Sequence, residues 1–275
     1  MNSLVKHISR IRDEFDTVIC GVNGVLTDGQ NIFDKSADTL VKLYQSGKKI
    51  ALASNSGLRA HELFAELKHG GLPMNIFYAL ITAGEIAHFY FKNQKNTGNT
   101  YYSLLAQDSH VLNGLDYKKA DSVVFADFLI AEQSPQHIET KIMAPILEHA
   151  VNLNLPLICV GNDTSVQSSH GIKQSAGAIA EQYALMGGKI VSFGKPDLRI
   201  ALYLTESLPN FDVSRCLFIG DGMATDMRLS NNFGAKSLLI TSGINQLTGD
   251  LVKQTDELST GFGLNVDYCM ENLQW

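Results

Sequence analysis

No stretch of this chain is apolar for long enough to cross a bilayer. Ile50–Ala53 and Leu217–Gly220 are among its longest apolar runs, against the ~20 residues that a spanning helix needs. Met1–Glu14 mixes charged with apolar residues and lacks the apolar centre of a secretory signal. Basic residues are the minority, 22 Lys and Arg against 28 Asp and Glu, for a formal net charge of −6. Neither nucleic acid nor an anionic membrane is therefore an expected partner. Cysteine is sparse: Cys20, Cys159, Cys216 and Cys269 stand far apart, with no Cys-x-x-Cys or Cys/His spacing of a zinc site. Three of them lie in or beside β-type runs, where a buried free thiol is expected. A reducing cytoplasm is the expected location.

What the chain does have is apolar content of 45% and charged content of 18% in 275 residues. That is enough for a full core, as one large domain or a core domain with an insertion. Short apolar runs recur at Val18–Gly21, Ile50–Ala53, Ala79–Thr82, Pro156–Val160, Lys189–Phe193, Cys216–Gly220 and Ser237–Thr241. Strands apolar along their whole length are buried on both faces, as in a parallel sheet. Helical patterns lie between them. Ser134-Pro135 has the residues of an N-cap and first turn, and Ile138, Ile142, Ile146 and Ala150 follow at spacing four, with Met143 and Leu147 beside them. Ala176–Met186 stops at Gly187-Gly188, and Thr225–Phe233 stops at Gly234. The alternation predicts an α/β fold with a doubly wound parallel sheet. Lys92–Asp121 carries the weakest pattern, and its polar opening reads as a loop at a domain edge.

Ligands bind an open parallel sheet at the carboxyl ends of its strands. The first strand delivers Gly21-Val22-Asn23-Gly24 there, and the second Ser54-Asn55-Ser56. Gly194-Lys195-Pro196 follows the fifth, and Asp221-Gly222-Met223-Ala224-Thr225-Asp226 the sixth. A hydroxyl, a lysine and backbone N–H groups together make a phosphate cradle. Asp221 and Asp226 offer the hard oxygens that magnesium prefers.

In this order the segments resemble the haloacid dehalogenase-like superfamily, in its class IIA branch (NagD-like, 4-nitrophenylphosphatase-like). Ser54-Asn55-Ser56 resembles the second motif, whose hydroxyl binds the transferring phosphoryl group. Gly194-Lys195-Pro196 resembles the third, whose lysine neutralises phosphate and nucleophile. Gly220–Asp226 resembles the fourth, which holds Mg²⁺. Ile81–Glu85, Ser175–Ala180 and Gly187-Gly188 are similar to connecting stretches of that branch, and the likeness runs from about Asp16 to Gly243. It implies a Rossmann-like core over residues 1–83 and 188–275, with an inserted α/β cap over 84–187. It also implies Ser54, Asn55 and Lys195 as phosphate-binding residues, Asp221 and Asp226 as metal ligands, and Asn162-Asp163 as a cap loop facing substrate. An ordinary Asn-Asp turn is the plain alternative for that last pair. A homodimer is an expectation at family level only.

The departure lies in the first motif. The family's nucleophilic aspartate position is held by Gly21, and its acid/base position by Asn23. Glycine can neither attack phosphorus nor bind metal through a side chain, and an amide cannot shuttle a proton at neutral pH. Loss of one member of such a unit costs ~10⁴–10⁶ in rate. Cys20 and Asp28 are the nearby substitutes considered: Cys20 should point into the core from its strand, and Asp28 reads as a loop carboxylate. His170, near the cap loop, reads as a surface histidine. Three functions remain open. The first is a catalytically impaired fold that binds a small phosphorylated molecule, with Mg²⁺ affinity weakened or lost. The second is a working Mg-dependent phosphatase on a small phosphorylated metabolite. The third is a structural or interaction protein.

Overall fold

The computed structural model describes residues 2–93, 98–104, 108–133, 140–168 and 171–275. In chain order the first elements are β1 (Ser3–Leu4), β2 (Thr17–Gly21), α1 (Asp34–Gln45), β3 (Lys49–Ser54), α2 (Ala60–His69), β4 (Phe77–Thr82) and α3 (Ala83–Asn93). An inserted set follows: β5 (Thr100–Ser103), β6 (Lys118–Lys119), β7 (Phe128–Glu132), α4 (Thr140–Asn152), β8 (Pro156–Val160), β9 (Ser165–Ser168), β10 (Gly171–Gln174), α5 (Ala176–Leu185) and β11 (Lys189–Phe193). The chain then runs through α6 (Leu198–Glu206), β12 (Cys216–Gly220), α7 (Arg228–Phe233), β13 (Lys236–Ile240), α8 (Leu251–Phe262) and β14 (Tyr268–Met270).

Seven strands form the larger sheet in the order β1-β14-β13-β12-β2-β3-β4. Every pairing in it is parallel. The strand order reverses between β2 and β12, so the crevice of the sheet opens beyond Gly21 and Gly220. The pleat explains why β2 is apolar throughout. Val18 and Cys20 enter one core layer with Leu40 and Leu43 of α1 and Leu63 and Leu67 of α2. Ile19 enters the opposite layer with Ile200 and Leu204 of α6.

The second sheet is also parallel, in the order β11-β8-β7-β5-β6. Here one expectation is corrected. Lys189–Phe193 pairs along its whole length with Pro156–Val160, so the segment expected to resume the core belongs to the inserted sheet, and the core resumes after Phe193. A short apolar strand carries no mark of which sheet it will join. The opposite layer is continuous with the inserted unit, since Phe128, Ile130, Ile158, Val160 and Phe193 pack in the same cluster as Ile19 and Phe218. The β9–β10 hairpin is antiparallel and stands apart from both sheets.

All seven expected strands form, as does α5, while Thr225–Phe233 is π-helical over Met223–Met227 before α7 begins. Ser134-Pro135, Ile138 and His170 lie outside the described residues. Within α4, Leu147 and Ala150 are buried, with Met143 and Ile146 packed beside them. The weakly patterned stretch holds β5 and β6, both too short to show a period.

Candidate functional site

The loop after β2 is drawn tight by its own backbone. Gly24 N–H donates to Thr27 O at 2.8 Å, and Leu26 N–H to Val22 O at 2.8 Å. Val25 N–H points to Val22 O at 3.4 Å. The N–H groups of Gly24 and Val25, expected to help cradle a phosphate, are therefore turned inward. Gly24 has φ +76°, and a Cβ there would sit 1.8 Å from Asp221 Oδ2, so both conformation and space require glycine. A Cβ on Gly21 would lie 3.2 Å from Asp226 Oδ1. The nucleophile position thus faces the buried Asp226 carboxylate beyond β12, with no group of its own to present. Asn23 Nδ2 donates to Gln167 O of β9 at 3.3 Å, which ties this loop to the hairpin of the inserted unit.

Lys195 and the carboxylates gather behind that loop. Lys195 Nζ donates to Asp226 Oδ1 at 2.7 Å, and each side chain is only 6% exposed. Burial opposes the ammonium charge, but Asp226, Asp163 and Asp221 outweigh it and hold Lys195 above its usual value. With both first-motif aspartates absent, Lys195 is expected to turn toward Asp221 or a bound anion; its partner is Asp226. The other Asp226 oxygen accepts Gly222 N–H at 3.2 Å. Asp221 Oδ2 accepts Ile244 N–H at 2.8 Å, and the Asp221 carbonyl accepts Asn245 Nδ2. Burial, with the Asp226 charge beside it, pushes the Asp221 carboxyl up to about 7.

Two asparagines hold the Lys195 loop. Asn55 Oδ1 accepts Lys195 N–H at 2.6 Å, and Asn162 Nδ2 donates to the carbonyls of Gly194 and Lys195 at 3.2 and 3.1 Å. Asn55 and Asn162 thus act on the protein backbone in this structure. Asp163 accepts Gln133 Nε2 at 3.1 Å. Burial raises its carboxyl, with Asp226 adding to the effect and Lys195 opposing it.

The fold family implies Mg²⁺ at Asp221 and Asp226, and the donors present do not fit it. Asp226 is committed to an ammonium and a backbone N–H. Among the described residues no group of three or more His, Cys, Asp and Glu side chains is placed to hold a metal. Magnesium is held by one or two carboxylates with waters completing its octahedron, and of the two offered here Asp226 is already bonded to the Lys195 ammonium.

A cavity of about 330 Å³ opens on the other side of the loop, lined by Asn23 and Ser54 with Ile32, Leu58, Leu63, Leu67, Val166, Gln133 and Gln167. Ser54 Oγ accepts Ser56 N–H at 3.1 Å, and its hydroxyl proton remains available to an acceptor. Ser54 and Asn23 therefore share the cavity, whereas Lys195, 5% exposed, is not in its lining. Asp28 lines the cavity too, but its oxygens accept Gln30 N–H, Asn31 N–H and Asn31 Nδ2. Partial burial opposes its charge, yet these bonds hold the carboxyl below its ordinary range. Cys20 is fully buried, and burial drives its thiol far above the usual value. Neither is an activated nucleophile.

Gln133 and Gln167, like Glu66 and His69, are polar lining residues that the sequence reading does not name. The signal for Gln133 was present: Phe128–Glu132 is an apolar strand, and Gln133 stands at its carboxyl end. Gln167 lies in a polar hairpin without such a mark.

Comparison with known proteins agrees with this fold. The haloacid dehalogenase-like hydrolase family matches residues 18–118, and the HAD-hydrolase-like family matches 192–261. The chain belongs to the haloacid dehalogenase-like superfamily. Among solved structures, a haloacid dehalogenase-like hydrolase from Brucella suis 1330 superposes with a TM-score of 0.84 at 23% identity, over 98% of this chain and 100% of that one. A p-nitrophenyl phosphatase from Archaeoglobus fulgidus gives a TM-score of 0.68 at 20% identity, over 94% and 97%. A 4-nitrophenylphosphatase from Thermotoga maritima gives 0.68 at 19%, over 95% and 96%. These likenesses concern the fold. No curated protein matches the chain.

Proposed function

We propose that this chain is a catalytically impaired phosphatase-fold protein that binds a small phosphorylated molecule between core and inserted unit and does not turn it over. The observation that carries the reading is the Lys195–Asp226 pair facing Gly21, 2.7 Å between charged atoms. The charge that would serve a nucleophile is neutralised internally, and no nucleophile is there to serve. A phosphoryl group entering the cavity meets the Ser54 hydroxyl and the Asn23 loop. Lys195 stays paired with Asp226 behind the loop, outside the lining. Loss of both members of a nucleophile–base unit leaves positioning and charge alone, and removal of one already costs ~10⁴–10⁶ in rate.

Hydrolysis of 4-nitrophenyl phosphate with Mg²⁺, together with thermal shift in inorganic phosphate, tests the reading. The unchanged chain is expected to show no hydrolysis above the uncatalysed rate. Phosphate is expected to raise its melting temperature, and Ser54→Ala to lose that shift. Robust turnover by the unchanged chain, abolished by Ser54→Ala, sinks the proposal. The double change Gly21→Asp, Asn23→Asp checks whether chemistry returns when both carboxylates do.

A further inference from the structure

Helix α6 is apolar on both sides. Its inner face, Ile200, Ala201 and Leu204, is fully buried in the core layer that also takes Ile19. Its outer face carries Leu198, Leu202 and Tyr203, which are 39%, 55% and 37% exposed. A helix at the surface of a monomer is ordinarily polar on that side. The outer residues belong to a larger surface. On α6, Arg199, Leu202, Tyr203 and Glu206 fall at i, i+3, i+4 and i+7. On α3, Ile86, Phe89, Tyr90 and Asn93 repeat that spacing. The two rows line one cleft of about 400 Å³, and the Phe89 ring stacks on that of Tyr203 with 6.0 Å between centroids. This cleft shares no lining residue with the cavity at Ser54.

The charges on α6 decide what fits against it. Arg199 stands at one end of the row and Glu206 at the other, equally far from the midpoint between Leu202 and Tyr203. A second α6 laid antiparallel about a two-fold axis through that midpoint sets Arg199 of each copy against Glu206 of the other, and Leu202 against Tyr203. Both charges have capacity for the contact. Arg199 bonds Asp197 through Nε and Nη2, and Nη2 also reaches Ser192 O, so Nη1 is unengaged among the described residues. Glu206 has no hydrogen-bond or ion-pair partner among the described residues. We propose that this face is the contact of a two-fold homodimer. In it α6 packs on α6, with Leu202 and Tyr203 at the centre, an Arg199–Glu206 pair at each end, and α3 of each copy flanking them. The exposed apolar patch is small for a permanent interface, so the dimer forms in a concentration-dependent way.

Sedimentation equilibrium of the full chain over a wide range of concentration tests the contact. The unchanged chain is expected to pass from monomer to dimer as its concentration rises. Leu202→Lys should abolish the dimer. Arg199→Glu and Glu206→Arg should each weaken it about tenfold, since each sets like charges together at both ends. Mixed in equal amounts, those two variants bring opposite charges together at both ends, and the mixture should regain the affinity of the unchanged chain. Leu202, Arg199 and Glu206 are exposed, and Asp197 caps α6 through the Arg199 N–H at 2.8 Å whatever the side chain there. Circular dichroism should therefore show all three variants folded; if Arg199→Glu is not, Leu202→Lys and Glu206→Arg still decide the matter. A monomer at every concentration overturns the proposal, as does a dimer undiminished in Leu202→Lys or Glu206→Arg. A mixture of folded charge variants that binds no more tightly than either alone overturns the antiparallel pairing of α6.

Discussion

Removing Lys195 should damage this protein more than removing the carboxylate that it pairs with. The two charges lie 2.7 Å apart with 6% exposure each, so at an effective dielectric of ~20 their attraction is about 6 kcal/mol. Desolvation offsets most of that, which makes the intact pair nearly neutral for stability. Breaking it is another matter, because the surviving charge stays buried. Lys195→Met leaves Asp226 beside Asp221 and Asp163 without the ammonium that faces all three, and the expected loss is about 4 kcal/mol. Asp226→Asn keeps an amide oxygen as acceptor and leaves Lys195 facing two other carboxylates, so the loss should be about 1–2 kcal/mol. Urea unfolding followed by circular dichroism gives both numbers, read as midpoint shifts at constant slope. The double change Lys195→Met, Asp226→Asn should be more stable than Lys195→Met alone, since it removes a charge left unpaired. A Lys195→Met variant no less stable than Asp226→Asn would refute the argument that Lys195 is the cation of this site.

Three further changes probe the loop and the periphery. Asn23→Asp replaces a donor to Gln167 O with a carboxylate oxygen; amide exchange in the β9–β10 hairpin should quicken about three- to tenfold, and unchanged exchange would show that Asn23 does not hold the hairpin. Gly24→Ala should cost more than about 3 kcal/mol by combining backbone strain with overlap on Asp221. Gly47→Ala is the control, with φ +86° but nothing within 4 Å of the added carbon; equal losses in thermal unfolding would exclude the Asp221 contact as the cause. At the surface, hydrogen bonds from Arg215 lower Asp16 to about 2. A folded-state value below the unfolded one near 4 means stability present above pH 4 and lost as pH falls toward 2. The pair is half exposed, so solvent screens most of its contribution and the effect on stability is small. The difference in urea midpoint between the unchanged chain and Asp16→Asn should vanish across that window, and a difference persisting at pH 2 would contradict it.

The core strands were legible because parallel strands buried on both faces are apolar throughout, as in Thr17–Gly21 and Cys216–Gly220. The place of the site was legible for a related reason: a sheet that reverses its order exposes the carboxyl ends of its central strands, and the motif residues stand there. Sheet membership was not. Lys189–Phe193 reads like any core strand, yet it pairs with Pro156–Val160, a choice made by the inserted unit's own layers and not by local pattern. Short elements such as Ser3–Leu4 and Lys118–Lys119 owe their form to a neighbouring strand and carry no period of their own. Side-chain partners were the least legible. Sequence pointed Lys195 at Asp221 or an anion, whereas its partner is Asp226, because the choice depends on where Asp221 finds its other partners.

Those partners bear on why motif residues alone do not establish chemistry. Asp221 accepts Ile244 N–H through its side chain and Asn245 Nδ2 through its carbonyl. A Cβ on Gly24 or Gly243 would collide with its carboxylate. Asp221 therefore ties its own loop to the Ile244–Asn245 loop whether or not a metal arrives. Asp226 neutralises a buried lysine and accepts the Gly222 N–H. Asn55 and Asn162 fix the loop that carries that lysine. Asp221, Asp226, Asn55 and Asn162 each have a structural task here that would survive the loss of turnover, so their presence is compatible with an inert site. Ser54 is different. Its hydroxyl has a donor to it in Ser56 N–H and a free proton beside an open cavity. On the binding proposed above, that proton is the contact a phosphorylated ligand would meet, and Ser56, whose Oγ accepts Leu58 N–H, lines the same cavity.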